Sequence, residues 1–215
     1  MSTKAKVLFV VVIVVVGLAF SMAYLTYVGV SSSGEASETL KQDATTYINE
    51  SFPYDGDVVD TLNDPTGVYE AFSRAAVVEL DNYDFQMLVF KHEDGELTNS
   101  FVAEKWEHEL ESLLRPEINN RFGEDLIQEL WIAYPKNIGS EKQIDIQNTP
   151  SVNGQDVKPH IRLTVNRGEE DQDDAHLQAL IDLMKEELDV PGGRITLSYN
   201  DQSVIFKDSN KSENF

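Results

Sequence analysis

Five acids gather at Glu169, Glu170, Asp171, Asp173 and Asp174, with His176 close behind, immediately before a run of apolar residues at helical spacing. Hard cations such as calcium take several carboxylate oxygens converging at about 2.3–2.6 Å, so these five acids are the candidate metal ligands of the chain. The glycine-centred twelve-residue loop of a calcium hand is missing, and acids also collect at helix N-termini because the dipole is positive there. Asp55, Asp57 and Asp60 make a second acidic group of the same kind. His92, His108, His160 and His176 are scattered, no pair has the i, i+4 spacing of a helical zinc site, and His108-Glu109 lacks the second histidine of a metalloprotease helix. With no cysteine in the chain, disulfides, thiolate metal sites and cysteine nucleophiles are excluded. No nucleophile elbow, phosphate-cradling loop or dinucleotide fingerprint occurs, so no catalytic residue and no cofactor is expected. Trp106, Trp131, Tyr134 and Tyr199 are of the type that anchors protein interfaces, although three of them continue apolar patterns that read as core.

These residues need a scaffold, and the chain supplies it on the far side of a lipid barrier. Residues 7–30, VLFVVVIVVVGLAFSMAYLTYVGV, carry no charge, and as a helix they would reach about 36 Å, enough to cross a bilayer core. Val7, Leu8, Phe9, Ile13, Leu18, Phe20, Leu25 and Val28 are the expected lipid contacts. Lys4 and Lys6 precede the run, and the next basic residue is Lys41, so the positive-inside rule places residues 1–6 in the cytoplasm and the remainder outside. Ser21-Met22-Ala23 resembles a small-x-small cleavage site. The apolar residues that continue past it favour an uncleaved signal anchor.

Residues 31–215 hold all 38 acids and 15 of the 17 basic residues, a formal charge of −23. Such a surface repels nucleic acid and anionic headgroups and keeps the outer part soluble. The absence of disulfides in an exported domain fits a bacterial envelope.

A pass along the outer part gives an α/β (α+β) reading. In residues 31–83 a membrane-proximal helical segment is expected: Leu40, Ala44, Tyr47 and Ile48 make one helix, and Asp64-Pro65 opens a second with Val68, Phe72, Ala75, Ala76 and Leu80 on its face. Residues 84–135 read as β-α-β: a strand over Phe85 to Phe90, a helix from about Ser100 that Pro116 ends or kinks and Gly123 stops, and a strand from about Glu129. Residues 136–158 read as a polar linker or long hairpin, with a short strand possible at Gln143 to Gln147. Residues 159–207 read as β-α-β-β. The alternation of Ile161, Leu163 and Val165, the helix face Leu177, Leu180, Ile181, Met184 and Leu188, and the strand Ile195, Leu197 and Tyr199 precede a turn into Val204 to Phe206. The tail from Asp208 reads as frayed. Whether the outer part forms one domain or two is left open by the polar stretch around Pro150.

The stretch from Pro159 to Phe206, with its alternating strand, acidic loop, helix ending in Leu188-Asp189-Val190-Pro191 and strand Arg194-Ile195-Thr196-Leu197, resembles the ring-building motif of membrane-anchored ring proteins in flagellar basal bodies, injectisomes and the sporulation channel. That resemblance implies side-by-side packing of copies and brings no catalytic residues. The expected function is therefore that of a single-pass envelope protein whose acidic outer domain binds other envelope proteins or itself. An anchored metal-dependent hydrolase or cation sensor using the acidic clusters is the alternative.

Overall fold

A computed structural model describes residues 34–67, 69–92, 94–200 and 210–215. The expected membrane span at 7–30 and the expected strand at 204–206 lie outside them, and no helix among the described residues is long and apolar enough to cross a membrane. The fold is mixed α/β, as the sequence suggests, with two four-stranded sheets and few helices.

Helix α1 spans residues 34–51, and its apolar stripe of Leu40, Ala44 and Ile48 is buried in the main core. The second helix expected from Asp64 does not form. In its place a hairpin runs through β1 (Gly56–Asn63) and β2 (Arg74–Leu80), joined antiparallel from Gly56 opposite Leu80 to Asn63 opposite Arg74. Asp64 caps the connecting turn and not a helix: its carboxylate accepts from Thr66 N–H at 3.1 Å, Thr66 Oγ1 at 2.8 Å and Tyr69 N–H at 2.6 Å. Strand β2 alternates between two apolar surroundings, Ala76, Val78 and Leu80 in the main core and Ala75 with Val77 against a smaller cluster around Phe72 and Phe90. Both faces are apolar, so the period of two is masked in the sequence.

Strands β3 (Gln86–Lys91) and β4 (Leu97–Asn99) complete the first sheet as an antiparallel meander, β1-β2-β3-β4. Helix α2 (Phe101–Phe122) follows and contacts β3, then β5 (Ile127–Ala133) of the second sheet. The expected β-α-β order is present, but its two strands lie in different sheets and α2 links them. Pro116 does not end the helix; Gly123 does, at φ +86°, a conformation that glycine adopts at no steric cost.

The second sheet has the order β5-β6-β7-β8, with β6 (His160–Val165) and β7 (Arg194–Tyr199) parallel and the outer pairs antiparallel. A parallel pair needs a crossover, which α4 (Asp173–Asp182) and its continuation Leu183–Glu187 supply, burying Leu177, Leu180, Ile181 and Met184. The tail is not frayed: Asn210–Asn214 forms β8, and Phe215 and Gly193 exchange two backbone hydrogen bonds of 3.1 Å. Residues 136–158 are likewise no loose linker, and no strand forms at Gln143 to Gln147. A short helix α3 (Ile138–Glu141) and a 3-10 turn (Ile146–Asn148) lie along α2, pinned where Trp106 Nε1 donates to Pro150 O at 2.9 Å. Residues from α1, α2, α4 and both sheets share one buried core.

Candidate functional site

The acidic run before α4 is occupied by the protein's own cations. Asp173 is fully buried, and its carboxylate accepts from Arg167 at 2.6 and 2.9 Å and from Glu170 N–H at 2.9 Å. Burial alone would raise its pKa; the Arg167 hydrogen bonds, foremost among the opposing effects, hold it below the ordinary carboxylate value. Glu170 faces Arg167 Nε at 3.5 Å, Glu169 meets Lys211 of β8 at 3.0 Å, and Asp174 pairs with the same lysine. Asp171 is exposed. Four of the five acids thus converge on an arginine and a lysine and not on one another, and among the described residues no three histidines or acids are placed to hold a metal ion. Asp55, just before β1, and Asp57 and Asp60 along it are exposed. The histidines are dispersed as well: His92 lies 3.7 Å from Asp94, His108 lies 3.3 Å from Asp84, His176 packs against the Phe122 ring, and His160 is exposed.

A different constellation lies at the seam between the sheets. Glu104, Glu107, His108 and Glu111 make a polar stripe on α2, which floors a groove walled by Val77 and Leu88 of the first sheet and by Leu130 to Ile132 of β5. Lys136, just beyond β5, reaches back into this stripe, with Nζ 2.8 Å from Glu104 Oε1 and 2.9 and 2.8 Å from the two oxygens of Glu107. The three side chains are only 12, 16 and 13% exposed. Glu107 Oε1 also accepts the Tyr134 N–H at 2.8 Å. Ser100 Oγ donates to Glu104 at 3.0 Å while accepting the Leu88 N–H at 2.8 Å. The network therefore runs from β3 through α2 to the end of β5 and ties the two sheets together.

Two carboxylates face one ammonium in a nearly dry setting. Burial, reinforced by the Glu104 charge, pushes Glu107 up to about 8 against the opposing pull of Lys136. For Lys136 burial acts downward, yet Glu107 and Glu104 outweigh it and raise the pKa. Both directions describe one state: the lysine stays charged, and Glu107 takes up a proton near neutral pH. Such a cluster can exchange a proton with the groove or accept a second cation from a ligand.

Trp131 stands at the rim, 38% exposed, with the Arg162 guanidinium 5.2 Å from its ring centroid and Arg162 in turn 3.2 Å from Glu129. Trp106, Tyr134 and Tyr199 are buried, so of the four aromatic candidates only Trp131 offers its ring to a partner. Sequence reasoning passes over Glu104, Glu107 and Lys136, because two acids on the polar side of an amphipathic helix look solvated until two sheets close over them. The lone cue is Lys136, a cation directly after the Tyr134-Pro135 strand exit. Comparison of the chain with known protein families, with curated proteins and with solved structures finds no match.

Proposed function

We propose that this chain is a single-pass bacterial envelope protein, anchored by residues 7–30, whose acidic extracytoplasmic α/β domain binds other proteins or copies of itself. The anchor rests on two dozen uncharged, mostly apolar residues behind Lys4 and Lys6. The binding role rests chiefly on one observation, the seam groove: a trough with apolar walls, an acidic floor and an exposed tryptophan at its rim. Exposed aromatic side chains beside concave apolar surface are what protein interfaces are built from. Homotypic packing is the form of assembly implied by the resemblance of residues 159–206 to ring-building motifs.

The test uses the full-length chain with a C-terminal tag. A carbonate wash should leave it in the membrane pellet, and protease added outside the inner membrane should remove the tag. A photo-crosslinking residue placed in turn at Trp131, Leu113 and Leu126, all exposed apolar positions, should give a discrete adduct with one envelope protein or with a second copy. A chain released by carbonate, a protected tag, or a strict absence of adducts at every position would each overturn the proposal.

A further inference from the structure

Strand β5 is the edge of its sheet: β6 takes one side, and among the described residues no strand pairs with the other. An open edge of seven residues is a ready template for another chain, and folds that leave one bare usually blunt it. Three consecutive residues, Leu130, Trp131 and Ile132, line the seam groove, as expected of a strand that presents its rim and not one face. The Tyr134 N–H already turns to that side, to Glu107 and not to β6. Backbone groups in a pleated strand alternate sides, so the N–H groups of Ile132 and Leu130 share its direction.

The charge around this rim has one sign in excess. The groove and its continuation past Trp131 are lined by five carboxylates, Glu70, Glu104, Glu107, Glu111 and Glu141, against Lys136, Lys158 and the Arg115 that pairs with Glu111, a formal charge of −2 with every carboxylate ionised and histidines neutral. A second copy of this chain, itself at −21, would bring more of the same sign. We infer that the groove takes an extended, basic and apolar segment of a partner protein, which adds as a strand to the free edge of β5 and sets a lysine or arginine beside Glu104 and Glu107. Main-chain hydrogen bonds to β5 supply register, Trp131 and the wall residues Val77 and Leu88 receive alternate apolar side chains, and each of the two carboxylates then faces a cation. This rests on the protein-binding role proposed above and narrows it to one surface and one class of partner.

The test titrates the full-length chain, held in zwitterionic micelles, with three synthetic peptides, empty micelles serving as the blank. One peptide alternates lysine and valine, one alternates glutamate and valine, and the third is the lysine peptide N-methylated at every second backbone nitrogen. The lysine peptide should bind saturably, change the fluorescence of Trp131, slow amide exchange at Leu130 and Ile132, and lose affinity as salt rises. The glutamate and N-methylated peptides should each bind at least tenfold more weakly, and Trp131→Ala, at an exposed position that leaves the fold intact by circular dichroism, should abolish the fluorescence change. Equal binding by the glutamate peptide, undiminished binding by the N-methylated one, or no saturable binding of the lysine peptide would overturn the inference. Photo-crosslinked adducts at Leu113 or Leu126 alongside a negative peptide titration would sink this surface while leaving the wider binding role standing.

Discussion

Lys136 is flanked by Glu104 and Glu107 at hydrogen-bond distance, and removing the cation leaves two nearly buried carboxylates facing each other. Lys136→Met should therefore cost about 3–5 kcal/mol, the usual penalty for stripping one partner from a buried ion pair, read as a fall in the denaturant midpoint. The pH dependence has a definite sign. Glu107 is raised from its ordinary value of 4.5 to about 8, so the folded state binds the proton more tightly than the unfolded chain does. The stability this contributes is whole below about pH 4.5 and is lost as pH rises toward 8. Asp173 behaves oppositely: its pKa is lowered, so its contribution is present above the ordinary value of 3.8 and is lost as pH falls through the folded value. Glu104→Gln tests the first assignment. Glu104 Oε1 accepts both the Lys136 and Ser100 hydrogen bonds, and the amide oxygen can keep both. The variant removes the charge that helps hold Glu107 up, so the decline in melting temperature between pH 5 and pH 8 should shrink. An unchanged decline would mean that the Glu104 charge does not set the Glu107 proton affinity.

At the scale of elements, α2 carries a visible flaw, the exposed Pro116 within its 22 residues. Proline lacks the N–H that would bond to Ser112 O, and its ring crowds the preceding turn, at a cost of about 3 kcal/mol in an unconstrained helix. Pro116→Ala should recover roughly 1–3 kcal/mol, less the entropy the unfolded chain regains, and raise the melting temperature by several degrees. A lower melting temperature would show that the proline shapes the packing of α2 between the sheets. The same helix marks how far the sequence could be read. Strands β6 and β7 and helix α4 are legible because Ile161, Leu163 and Val165 alternate and Leu177, Leu180, Ile181 and Met184 recur at three and four over uninterrupted stretches. Strand β2 is not, since Ala75 and Ala76 are buried on opposite faces and erase the period. Strand β8, whose residues are NKSEN, has no apolar pattern to find. It is ordered by its ladder to β7 and by Phe215, which sits so close to Gly193 that a Cβ there would meet the ring at 2.9 Å. The acidic run was visible but its partners were not, because Lys211 is 37 residues from Asp174 and joins it only once β8 pairs with β7. The seam site was invisible for the same reason: Glu104, Glu107 and Lys136 become a buried cluster only when both sheets close on α2.

For the whole molecule, the governing quantity is the formal charge of −21, which makes the compact state repel itself at neutral pH. The isoelectric point is about 4.4, so this repulsion fades as pH falls toward 5, in the same direction as the Glu107 contribution. The two effects add, and maximal stability should lie on the acid side of neutrality. Salt separates them. Exposed charges are screened over about 10 Å at 0.1 M ionic strength and about 3 Å at 1 M, whereas the Glu104–Lys136–Glu107 cluster, 12–16% exposed, is screened far less. Sodium chloride is the proper reagent, since sulfate also strengthens apolar burial. Between 10 mM and 0.5 M sodium chloride at pH 8, the melting temperature of the full-length chain should rise by roughly 3–6 °C, as relief of 1–2 kcal/mol implies for a chain of this size. At pH 5 the rise should be small. In Glu104→Gln the salt increment at pH 8 should persist while the residual pH dependence at high salt shrinks. A wild-type chain equally insensitive to salt at both pH values would show that the net charge exerts no collective strain on the fold.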